Sequence, residues 1–69
     1  MSVIYSRPDT PVDWMHMSRL EVQIWNVLTE GQKNAWEIYT RIPLVPYSDI
    51  VKALAKMEKE GNVTAQYST

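Results

Sequence analysis

Apolar residues recur three and four positions apart in three stretches of this chain, the spacing that lines one face of a helix turning ~100° per residue. Leu20, Ile24, Val27 and Leu28 form the first stripe, and Ala35, Ile38 and Ile42 the second. Ile50, Leu54 and Met57 form the third. The punctuation agrees with the periodicity. Ser18 and Glu21 in "SRLE" form a capping-box pattern, with Met17 and Val22 placed as a hydrophobic staple, and Gly31 follows the first stripe. Asn34 and Glu37 in "NAWE" form a second box, and Pro43 stops that helix. Gly61 ends the third helix, whose start is read in two ways: Pro46 as its first residue, or Ser48 as its N-cap.

Helices are thus predicted from about Arg19 to Thr29, from Ala35 to Arg41 or Ile42, and from Pro46 or Ser48 to Gly61. The segment 62–67 alternates Val63, Ala65 and Tyr67 with polar residues, as a half-buried strand does. Gln32 and Lys33 are candidates for its short partner. Their phases bring Leu20, Ile24, Leu28, Ile38, Leu54 and Met57 into one interior.

Residues 1–17 read as an arm, followed by a domain over 18–69. Val3, Ile4 and Tyr5 suggest a short strand, and Pro8 and Pro11 favour an extended or turning chain. "TPVD" at 10–13 has the form of a brief helical start. A rival reading runs one long helix from Thr10 to Leu28. The capping box favours a fresh start at Ser18.

Sixty-nine residues make at most one domain with a small core. The apolar share, 45%, is ordinary for a folded chain and argues against disorder. There is no cysteine, which excludes disulfides and thiolate zinc sites. No apolar run approaches the ~20 residues of a membrane span, so the expected location is the cytoplasm, with no membrane partner.

Charge changes the functional picture. The net charge is −1, and from Ser18 onward six basic residues face six acidic ones. Such a balance gives no long-range attraction for DNA and leaves only a local basic face. Lys52, Lys56 and Lys59 supply one, opposite the apolar stripe of the third helix. Their spacing suits phosphate contact, and it equally describes a solvated helix face.

Helix, short strand, helix, tight turn, helix, glycine and strand is the order of a winged helix-turn-helix. "SRLEVQIWNVLTEG" resembles the first helix of penicillinase-repressor and MarR-like transcriptional regulators, and "NAWEIYTRI" their second. "PYSDIVKALAKMEKEGNV" is similar to their recognition helix and the strand after it. The resemblance implies a mostly α fold with a small β component: three helices with a short or incomplete wing. It also implies a DNA-binding regulator, with double-stranded DNA as its partner, that places the third helix in the major groove. Ser48, Asp49, Lys52, Lys56 and Lys59 then form the DNA face. The family's wing is a basic hairpin, whereas a single strand follows the third helix here. Val3–Tyr5 is a candidate for the other.

Three Trp and four Tyr with no Phe favour a second class, a protein-binding adaptor or a viral or mobile-element modulator that does not touch DNA. Trp36 lies ~160° from Ile38 around its helix, so it is expected outside the core, with Tyr39 beside it in a homodimer or partner contact. Trp14 and Trp25 are expected to pack together under the arm. His16 is the lone histidine, and without cysteine it assembles no metal site. The two glycines form no phosphate loop. No enzyme activity and no cofactor are expected.

Overall fold

The computed structural model of the chain describes residues 2–9, 12 and 14–68, the side chain of Trp14 excepted. It contains β1 (Ser2–Ser6), α1 (Arg19–Val27), α2 (Ala35–Arg41), α3 (Tyr47–Glu60) and β2 (Thr64–Ser68). A 3₁₀ turn at Trp14–His16 precedes α1, and another at Leu28–Glu30 continues it. The architecture is mostly α with a small β component. "TPVD" falls largely outside the described residues.

The helix boundaries follow from local chemistry. Ser18 is extended (φ −69°, ψ 166°), so the Trp14–His16 turn does not run into α1, and one helix from Thr10 to Leu28 is not formed. The Ser18 hydroxyl accepts from the Glu21 N–H at 3.3 Å and caps α1. Gly31 at φ 127°, ψ 179° occupies a region that only glycine enters without strain, and it separates α1 from α2. The Asn34 box is complete. Its side chain accepts from Glu37 N–H at 2.8 Å, while the Glu37 carboxylate accepts from Asn34 N–H at 2.9 Å.

α3 starts in neither of the two predicted ways. Pro46 is the cap itself, extended at ψ 142°, and its carbonyl accepts from the N–H groups of Asp49 and Ile50. No described side chain caps this end. Proline suits the position because its fixed φ matches the entry and no N–H is lost from the helix. Gly61 closes α3 in the left-handed region (φ 80°), with the Asn62 N–H donating to the Met57 carbonyl at 2.8 Å.

The core contains Ile24, Leu28, Ile38, Ile50, Leu54, Met57 and Val63. Five of the six residues expected there are fully buried, and the sixth, Leu20, is partly buried against the cluster. Tyr5, Met17, Trp25, Tyr39 and Val45 also pack on it.

The sheet departs from the expected pairing. β2 pairs with β1, antiparallel, with Val3 opposite Tyr67 and Tyr5 opposite Ala65. Lys33 joins by a single bridge to Tyr5, exchanging both backbone hydrogen bonds at 2.8 and 2.9 Å. The order across the sheet is therefore Lys33, β1, β2. The first strand of the arm lies between the two segments that sequence spacing had suggested as mutual partners. Hydropathy alternation identifies strands, but the choice of neighbour is made by long-range packing. Among the described residues, no helix is long and apolar enough to cross a membrane.

Candidate functional site

α3 packs against α1 and α2, and Tyr67 of β2 reaches its Glu58, which leaves a ridge of α3 facing solvent. Ile50, Leu54 and Met57 point inward and are completely buried. At ~100° per residue, the direction opposite to them holds Ser48, Lys52, Ala55 and Lys59. All four are exposed. No acidic residue stands on this crest.

Lys56 and Asp49 lie on the flank toward α1. Both are exposed, yet Lys56 is engaged: its Nζ donates to Glu21 Oε1 at 3.1 Å. Glu21 is buried, with 2% of its surface accessible, while the Lys56 side chain keeps 55%. The hydrogen bond to Glu21, then the charges of Glu21 and Glu60, raise the Lys56 pKa above the ordinary lysine value. Glu21 Oε2 is buried and accepts no hydrogen bond from any described residue. Of the five residues expected to face DNA, Ser48, Lys52 and Lys59 therefore share the crest. Asp49 and Lys56 stand beside it.

The other flank is aromatic. Trp36 and Tyr39 of α2 meet at 5.2 Å between ring centroids, in the i, i+3 relation that their spacing foretold. Tyr47, the first residue of α3, completes a three-ring cluster at 5.7 Å from Trp36 and 5.8 Å from Tyr39, edge-on to the latter. Such tilted and edge-to-face contacts suit the ring quadrupoles. Trp36 is 60% exposed and Tyr47 41%. Trp36 and Tyr47 of the cluster wall a groove of about 290 Å³ whose other sides are Val51, Ala35, Asn34, Ser2, Val3 and Tyr5. Its lining carries no charged side chain.

Tyr47 and Val51 escaped the sequence reading. A four-residue spacing puts them on one side of α3, but nothing local says that this side faces β1. At the far end of the same flank, the Tyr67 hydroxyl donates to both carboxylate oxygens of Glu58 at 2.8 Å. That bond raises the Tyr67 pKa above its usual range. Burial, with the nearby charge of Glu58, raises that of Tyr5.

Trp25 is covered by the arm in an unforeseen way, with the Arg7 guanidinium 3.9 Å from its ring centroid. Its expected contact with Trp14 lies outside the described side chains. No protein-family model, curated protein or solved structure matches this chain.

Proposed function

We propose that this chain is a small winged-helix DNA-binding regulator that lays α3 in the major groove. The observation that carries the reading is the solvent-facing crest of α3. Ser48, Lys52, Ala55 and Lys59 are all exposed there, with a small residue before each lysine and no acid among them. A helix with side chains is ~10–12 Å across and fits the ~12 Å major groove. Ser48 and Ala55 let the helix approach closely, and Lys52 and Lys59 reach phosphates on either side. The sheet supports the same reading. β2 leaves α3 as the first wing strand does, and β1 takes the place of the second, beside the bridge at Lys33.

The test is a salt titration of binding to random-sequence duplex DNA. Affinity should fall steeply with salt, and Lys52→Ala with Lys59→Ala should reduce the logarithmic slope by about two units. Lys56→Ala should change it less, because that ammonium is already paired. Absence of binding at low salt would sink the DNA reading.

A second reading, a protein-binding winged-helix adaptor, is favoured by one observation: the uncharged groove beneath the exposed Trp36 ring. Exposed Trp and Tyr side by side are the residues that dominate protein interfaces. Trp36→Ala should leave the melting temperature nearly unchanged while weakening partner capture by ~2 kcal/mol or more. A steep fall in melting temperature would instead make Trp36 part of the fold.

A further inference from the structure

β2 has one paired edge and one open edge, and the hydrogen-bond geometry tells them apart. In an extended strand the N–H and C=O of one residue point to the same side, and the side alternates along the chain. Tyr5 spends both groups on Lys33, away from β2. Ser2, Ile4 and Ser6 therefore face β2, opposite Ser68, Gln66 and Thr64. It follows that Ala65 and Tyr67 turn their N–H and C=O groups outward, where no described residue pairs with them.

Proteins usually guard such an edge with lysine, proline, a bulge or a covering element. "TAQYS" has no charge and no proline, and no described element covers its outer side. We propose that a second copy of this chain adds at this edge. β2 would run antiparallel to its counterpart about a two-fold axis at Gln66, giving the order β1-β2-β2-β1.

Several features specify the second copy as occupant. The outward residues lie symmetrically about Gln66, so each Ala65 meets the other copy's Tyr67 and all four outward groups of each strand are satisfied. Axes at Ala65 or Tyr67 leave part of this set unused. The side chains match as well, since Ala65 is small where the other copy's Tyr67 ring must lie. That ring is already held by Glu58 and remains 57% exposed, so little ordering is needed to cover it. With a net charge of −1, two copies repel weakly. The isologous contact uses none of the residues of the α3 crest or the Trp36 groove, and it stands whether or not the chain binds DNA.

Gln66 is the test position. It is exposed, and its side chain projects from the sheet face opposite Tyr67 and the helices. Across the axis the two Gln66 side chains face each other at the closer, non-hydrogen-bonded spacing. Sedimentation equilibrium of the full chain from micromolar to millimolar concentration should show a monomer–dimer equilibrium. Gln66→Glu and Gln66→Lys should each weaken it roughly fivefold, because like charges then stand directly opposite. An equimolar mixture of the two variants should restore association to at least the wild-type level. Thermal melts should confirm that both variants fold. A second variant, Tyr67→Pro, removes an outward donor without touching the β1 ladder, and it should give a monomer. A wild-type chain that stays monomeric overturns the proposal. So does a dimer indifferent to both charges and to their mixture, which would place self-association on another surface such as the exposed Trp36 ring.

Discussion

Ser18 to Glu21 and Asn34 to Glu37 carry the same capping pattern at the starts of α1 and α2, yet the two glutamates do different things. At α2 the box closes. Asn34 and Glu37 exchange hydrogen bonds at 2.8 and 2.9 Å, on the surface. At α1 only the serine half forms, and at a longer 3.3 Å. Glu21 turns away from Ser18, is buried between α1 and α3, and accepts from Lys56 across 35 residues of sequence. The motif supplies an option, and tertiary packing decides whether it is used. A glutamate in water has no better partner than the nearby N–H. A glutamate carried into an interface needs a charge, because an unpaired buried carboxylate is strongly unfavourable.

The largest test loosens the packing that captured Glu21. Leu54 is fully buried on α3, in the core cluster it shares with Ile24 of α1 and Ile38 of α2. Leu54→Ala should cost about 2–5 kcal/mol, which is a large share of the stability of so small a domain. Thermal or urea unfolding reads it directly. Wild-type stability in this variant would mean that this core cluster does not hold the fold.

Next comes an asymmetry within the pair. Lys56→Ala strands a carboxylate that is buried. Glu21→Met strands an ammonium that is half in water and fills the space with apolar atoms. The lysine variant should therefore melt clearly lower than the glutamate variant, and Glu21→Met should stay close to wild type. If the order is reversed, Glu21 contributes to stability by something other than this ion pair.

A smaller difference separates the two caps. Asn34→Ala should cost about 1–2 kcal/mol, the upper part of the usual range, because it opens a reciprocal pair. Ser18→Ala should cost less, since it removes one long hydrogen bond. Equal losses in unfolding experiments would mean that the reciprocal bond adds nothing.

The smallest effect appears only in alkali. Lys56, Tyr67 and Tyr5 all have pKa values raised above the ordinary 10.5 and 10.0, the first two mainly by hydrogen bonds to Glu21 and Glu58 and the third by burial. A raised pKa means that the folded chain holds these protons more tightly than the unfolded one. Their contribution is complete below the unfolded values and disappears as pH climbs through the folded ones. Melting temperature should therefore begin to fall near pH 10 and keep falling above it. Tyr67→Phe should make that decline shallower, and an unchanged decline would show that the Glu58 contact is not maintained in solution.

Much of the fold is local in origin. The three apolar stripes, both N-caps and the two glycines are contained in short windows, and each window defines its element with little outside help. The expected interior followed from helix phase alone, because a stripe has one way to leave water. The outward crest of α3 was legible for the same reason, as the side opposite Ile50, Leu54 and Met57. Trp36 and Tyr39 were legible as neighbours because three residues make most of one turn.

Only the tertiary structure decided which exposed residues belong together. Lys56 matches Lys52 and Lys59 in sequence spacing, but Glu21 on another helix claims it. Tyr47 joins Trp36 because α2 and α3 cross there, and Val51 lines a groove because β1 returns from the far end of the described chain. Pairing β1 with β2 links residues about 60 positions apart, with Ser2 opposite Ser68. Periodicity carries no information over that distance. It fixes which face of an element is apolar, whereas the choice of neighbour depends on how the whole chain buries those faces at once.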